Sequence, residues 1–221
     1  GHVVFAGVDY ERIARAAEAE ADVIVWDGGN NDLPFFLPDL EIVLVDPHRS
    51  GDESRYWPGE SNLRRADVIV LSKVGTAEPA RVAELRAAVG AANPSATLVE
   101  ADLGIEVDRP ELLAGARVLV IEDGPTTTHG GMPYGAGFVA ATRHGATPVD
   151  PRPHAVGAIA DTFARYPHLE AVLPAMGYGG AQVRDLEATI GASNADVVVI
   201  ATPVDLRRLL TIRQPTVRVS Y

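Results

Sequence analysis

Val68-Ile69-Val70-Leu71, Pro79 to Val89 and Thr97-Leu98-Val99-Glu100 follow one another as a β-branched run, an amphipathic stretch and a second strand-like run. In the middle segment Val82, Leu85 and Val89 recur at spacings of three and four, which draws one apolar stripe along a helix. A strand, a helix and a strand in that order make a βαβ unit, with the two strands parallel and the helix packed on the sheet. This stretch therefore puts the chain in the α/β class, a mostly parallel sheet with flanking helices.

The same alternation extends in both directions. Strands are predicted near Val3 to Phe5, Val23 to Trp26, Ile42 to Val45, Val118 to Ile121, Ala171 to Leu173, Val197 to Ile200 and Val217 to Val219. Helices fit Tyr10 to Glu20, Gly135 to His144, Val156 to Tyr166 and Ala181 to Ile190. The segment Asp102 to Gly115, with Pro110 and several acids, has the composition of a connection, and it divides the chain into residues 1–108 and 109–221. In both parts strands run into loops rich in Gly, Pro, Asp and His. Ligands of parallel sheets gather outside the carboxyl ends of the strands.

Composition narrows the partners. An apolar fraction of 47% over 221 residues supplies an ordinary core and argues against disorder. Apolar runs such as Val197 to Ala201 fall far short of the roughly 20 residues that span a bilayer. No membrane partner is expected, and the opening Gly1-His2-Val3-Val4-Phe5 lacks a signal-peptide pattern, so the expected location is cytoplasmic. Without cysteine there is no disulfide and no thiolate metal site. A net charge of -11 argues against a nucleic acid partner. Lys73 is the sole lysine, the other cations being arginines. The start without methionine is the start expected of an incomplete reading frame or a processed chain, and a homo-oligomer is left open.

The candidate chemistry lies where strands end. Val23-Ile24-Val25-Trp26 delivers Asp27, Gly28 and Gly29 to a strand end: the acid is placed to hold Mg²⁺ and the glycines to let backbone approach a phosphate. A plain Gly-Asn turn explains the same residues as well. Ile42 to Val45 ends in Asp46-Pro47-His48-Arg49, where Asp46 could anchor a metal shell and Arg49 a phosphate; a Pro-containing turn with solvated charges is the simpler account. Ser72 and Lys73 directly follow Val68 to Leu71, a place for a nucleotide contact or for an exposed lysine capping a strand. The run Glu122-Asp123-Gly124-Pro125-Thr126-Thr127-Thr128-His129-Gly130-Gly131 lies between a strand and a helix. It offers hydroxyls, amides and an imidazole, so Thr126, Thr128, Gly130 and Gly131 are candidate substrate contacts and His129 a candidate acid or base. Arg152, Arg207 and Arg208 suit a phosphorylated or carboxylated ligand if they converge, although each taken singly suits a surface ion pair. No Gly-x-x-x-x-Gly-Lys-Ser/Thr motif occurs, so the cradle for β- and γ-phosphates is absent and this chain alone is not expected to be catalytic.

Taken in order, Trp26-Asp27-Gly28-Gly29-Asn30-Asn31-Asp32, Val45-Asp46-Pro47-His48-Arg49, Glu122-Asp123-Gly124-Pro125-Thr126, Thr128-His129-Gly130-Gly131-Met132, Asp150-Pro151-Arg152-Pro153 and Pro174-Ala175-Met176-Gly177-Tyr178-Gly179 resemble the predicted P-loop GTPases labelled cyclic 2,3-diphosphoglycerate synthetase. The resemblance implies a P-loop NTPase-like first half, a Rossmann-like second half and a preceding segment that carries the P-loop. It also implies ATP-dependent closure of a phosphoanhydride with Mg²⁺, with Asp27 the Walker B acid, Asp46 a switch-region acid, Ser72 and Lys73 the base contact, and Thr126, Thr128 and His129 the substrate loop. Ser72 and Gly75 replace the Asn and Asp of the family's N-K-x-D pattern, which leaves ATP against GTP open. The expected whole is a Mg²⁺-dependent enzyme that brings a nucleotide, ATP or GTP, to a small anionic metabolite. The alternatives are a non-catalytic nucleotide- or metabolite-binding regulatory domain and a structural subunit.

Overall fold

A computed structural model describes residues 2–28, 32–129 and 131–221, with Thr126 and His129 described in backbone only. The chain forms two compact units, Gly1–Leu103 and Gly104–Tyr221.

In the first unit α1 (Tyr10–Glu18) precedes β1 (Ile42–Val45), α2 (Asp52–Arg55), α3 (Gly59–Arg65), β2 (Val68–Leu71), α4 (Pro79–Ala92) and β3 (Thr97–Glu100). The strands lie parallel in the order β1-β2-β3, with Ile42 opposite Val68 and Val68 opposite Thr97. The βαβ unit expected from residue 68 to residue 100 is present. Pro79 starts α4 at a position where a missing N–H costs nothing. Its stripe Val82, Leu85 and Val89 packs with Leu63 of α3 on Val45, Ile69 and Leu71. Buried Asn93 closes this corner: its Nδ2 donates to Leu63 O at 3.0 Å and Ala66 O at 2.9 Å, and its Oδ1 accepts from the Ala96 amide. The opposite face of the sheet is open, with Ile42 and Leu44 of β1 51% and 66% exposed and Val99, across β2 on β3, 41% exposed.

The strands expected at Val3 to Phe5 and Val23 to Trp26 are not formed. A strand exists through a neighbour that completes its hydrogen bonds, and among the described residues these segments pair with no strand. Val4 and Val25 are exposed, and Trp26 packs edge-on against Tyr10, Phe35 and Phe36.

The second unit contains β4 (Glu106–Val107), β5 (Arg117–Asp123), α5 (Gly124–His129), α6 (Ala136–Arg143), β6 (Thr147–Pro148), α7 (Gly157–Arg165), β7 (Leu173–Ala175), α8 (Gly180–Ala192), β8 (Val197–Ala201) and β9 (Thr216–Ser220). Its strands run in the order β4-β9-β8-β5-β6, with β7 also paired to β5. All pairs are parallel except β4 with β9. Central β5 is apolar from Val118 to Ile121, and those four side chains are fully buried, as expected of a parallel strand covered on both faces. From β5 the chain moves outward to β6 and β7, then α8 carries it back to β8 on the other side of β5. The strand order thus reverses between β5 and β8, a topological switch point. Glu106–Val107 pairs with β9 and so folds with this unit, although it precedes residue 109. The strand expected at Ala171 to Leu173 forms at Leu173–Ala175 instead, where it meets the end of β5.

Candidate functional site

Each sheet gathers polar groups at the carboxyl ends of its parallel strands. In the first unit Lys73 Nζ donates to Asp46 Oδ2 at 2.7 Å, and Asp46 Oδ1 accepts from the His48 amide at 2.9 Å. His48 Nε2 and Thr76 Oγ1 are 2.9 Å apart, and Ser72 Oγ donates to Val45 O at 3.1 Å. Lys73 has a φ of 57°, in the left-handed region that costs a non-glycine residue about 1–2 kcal/mol. At Gly75 a Cβ would collide with the Asp102 carboxylate. Strained backbone of this kind clusters at functional positions. Asp46, Ser72 and Lys73, named separately from sequence, are therefore brought together by the adjacent ends of β1 and β2.

Asp27 and Gly28 are not part of a strand end; both lie on the exposed segment that leads from Trp26. Gly29 lies outside the described residues. Among the described residues no group of three His, Asp or Glu side chains is arranged to hold a metal ion. Mg²⁺ usually takes one or two carboxylates and completes its shell with water and phosphate oxygens. Exposed Asp27 fits that demand better than Asp46, both of whose oxygens are engaged.

In the second unit the switch point is lined by residues at the ends of β5, β7, β8 and β9. Glu122, 1% exposed, stands at the end of β5, and its Oε1 accepts from the amides of Gly135 at 3.1 Å and Phe138 at 2.9 Å. It thereby caps α6 from the neighbouring strand, satisfying donors that a helix start leaves open. Burial pushes its carboxyl up to about 7, against the pull of the Phe138, Gly135 and Gly137 amides and with the Asp123 charge adding to the rise. The approach is close: a Cβ on Gly135 would lie 2.6 Å from Glu122 Oε2, and one on Gly137 would lie 2.6 Å from Ala201 Cβ. Burial and the Asp123 charge raise the Tyr178 phenol, whose hydrogen bond to Thr202 works the other way. Burial and the charges of Glu122 and Asp123 raise Tyr221.

The run after Asp123, expected as a long loop, turns at once into helix α5. Thr127 and Thr128 supply the reason, since their hydroxyls donate to Gly124 O at 3.0 Å and 2.8 Å and hold a helical turn. The side chains of Thr126 and His129, and Gly130 altogether, lie outside the described residues; Gly131 has a φ of 62°. The arginines do not converge. Arg152, beyond β6 at one edge of the sheet, forks onto Asp150 at 2.9 Å and 2.8 Å. Arg207 pairs with Asp205 at 2.8 Å and with Asp108 beside β4, at the opposite edge, and Arg208 is exposed. Sequence reading quoted Glu122 without assigning it a role and gave none to Thr202 or Tyr221. The available signal was a carboxylate directly prolonging a strand apolar on both faces, where an acid needs a buried partner.

Fold and edges together define a parallel α/β protein with one unit built around a switch point. No protein-family model matches the chain. It is 58% identical over 222 residues to arginine synthetase ArcE of Thermococcus kodakarensis, across 100% of this chain and 50% of that protein. The chain thus spans about half the length of the curated relative it matches. That relative is a synthetase, but its name is not cyclic 2,3-diphosphoglycerate synthetase, and nothing in the match speaks for a P-loop.

No helix among the described residues is long and apolar enough to cross a membrane.

Proposed function

We propose that this chain is part of a nucleotide-dependent synthetase of ligase type acting on a small amino-acid metabolite. Identity of 58% along the whole chain to an arginine synthetase carries this reading. In it the first unit's edge, with Lys73 as its cation beside Asp46 and Ser72, takes the phosphate end of ATP or GTP. Asp27 is the acid we assign to Mg²⁺, which when bound would neutralise phosphate charge. At the second unit's edge Asp123 is the carboxylate beside two neutral phenols, Tyr178 and Tyr221, with Glu122 buried behind it. This edge suits the nitrogen-bearing end of an amino acid better than a second phosphate, so the metabolite is anionic only at its carboxylate.

Phosphoanhydride closure in 2,3-bisphosphoglycerate and GTP hydrolysis rest on the motif resemblance alone. Both would use the same Lys73 edge, but neither accounts for Asp123 at the switch point.

Calorimetry on the full-length protein tests the proposal with Mg-ATP, Mg-GTP, arginine and 2,3-bisphosphoglycerate in separate titrations. The expected result is binding of one nucleotide and of arginine, with phosphate release lost in Asp27→Ala. Absence of any nucleotide binding defeats the synthetase. Binding without turnover makes the chain a regulatory domain.

A further inference from the structure

We propose that the bare face of the first unit's sheet and the outer edge of β1 are the seat of a further βα segment of the full-length polypeptide, one that adds a strand beside β1 and lays its helix over Ile42 and Leu44. The inference goes beyond the synthetase reading and does not depend on it.

Strand register defines the face. Ile42 lies opposite Val68 and Val68 opposite Thr97, while Leu44 lies opposite Val70 and Val70 opposite Val99. Residues paired across strands point to the same side of a sheet. These residues therefore form two rows, apolar except for Thr97, on the side away from Val45, Ile69, Leu71 and the α4 stripe. Ile42 and Leu44 also hold the outer edge of β1. Glu41 O and Val45 O accept from the amides of Val68 and Ser72. By the alternation of a strand, the N–H and C=O of Ile42 and Leu44 then point away from β2, and β1 pairs with no other strand among the described residues.

Crossover handedness says what kind of segment fits. Strands β1, β2 and β3 follow one another in one direction across the sheet, and right-handed connections then place their helices on one face, where α3 and α4 lie. Helices reach the other face only from strands that advance the opposite way, outward from β1. Parallel sheets are covered on both faces, so an apolar bare face calls for such a helix. A second copy pressed on this face would cover the plate but leave the edge of β1 without a partner. Chain for the purpose exists on the scale required: the relative matched from end to end is about twice as long as this chain, and about 30 residues make a βαβ unit.

Photo-crosslinking tests this on the full-length protein, with p-benzoylphenylalanine in place of Leu44. The expected product has monomer mass and joins residue 44 to a peptide outside residues 1–221. In the wild type the Ile42 and Leu44 amides should exchange about a hundredfold or more below their intrinsic rates. A product of doubled mass would make the occupant a second copy, and links only to peptides within residues 1–221 would make it this chain itself; either overturns the proposal. If no link forms, or the variant does not fold, hydrogen exchange of the wild type decides. Exchange of both amides near their intrinsic rates would mean an open edge and sink the proposal, whereas slow exchange that persists in a dilute monomer carries it. A reading frame without residues beyond these 221 overturns it outright.

Discussion

Glu122 holds its proton more tightly in the folded chain than in the unfolded one, where a glutamate titrates at 4.5. Below 4.5 both states are protonated and nothing is lost. As pH rises towards about 7 the unfolded chain releases a proton that the native chain keeps, so native stability falls, and above 7 the loss is complete. At 1.36 kcal/mol per unit the loss is about 3 kcal/mol. Urea unfolding of wild type and Glu122→Gln from pH 4.5 to 8 should show the variant lacking this component. A second residue-scale prediction concerns Gly137, where Ala201 and Val120 leave no space for a methyl group. Gly137→Ala should destabilise by about 1–3 kcal/mol in the same assay, because packed cores do not absorb an added carbon without shifting. At this scale the sequence was only partly legible. Asp46 and Lys73 were visible as residues that end strands, but their 2.7 Å ion pair depends on which strands lie side by side. Asp150 and Asp205 capture Arg152 and Arg207 from two residues away, a local competition that outweighed convergence on a ligand.

Elements were read more securely where periodicity and packing agree. The stripe of Val82, Leu85 and Val89 announced α4, and each of the three is buried on the sheet. Leu85→Ala should cost about 2–5 kcal/mol, measurable by denaturant unfolding, as a fully buried side chain leaves a cavity. Asn93→Ala is expected to cost about 1–3 kcal/mol by stranding the carbonyls of Leu63 and Ala66. Where local pattern misled, a missing partner was the cause: Val3 to Phe5 and Val23 to Trp26 have strand composition without a neighbouring strand among the described residues. Helices α2, α3 and α5 escaped notice because they are too short to display a period. Thr127 shows how such a turn is held by a side chain bonding back to the backbone.

For the whole molecule, the division at Leu103 and Gly104 separates two kinds of core. All residues of the larger apolar cluster, from Ile105 to Val219, come from the second unit. Residues 104–221 produced alone should therefore unfold cooperatively, with a single transition in circular dichroism. A broad, non-cooperative melt would show that this unit does not stand by itself. The first unit is different, since among the described residues its sheet is clothed by α3 and α4 on one side only. Ile42 and Leu44 present an apolar plate beside the outer edge of β1, which pairs with no other strand among the described residues. Such a plate is adhesive in water. In solution this gives the isolated chain a colloidal character: it should scatter more light as concentration rises and brighten hydrophobic dyes, and Leu44→Lys should quiet both signals by setting a hydrated charge in the middle of the plate.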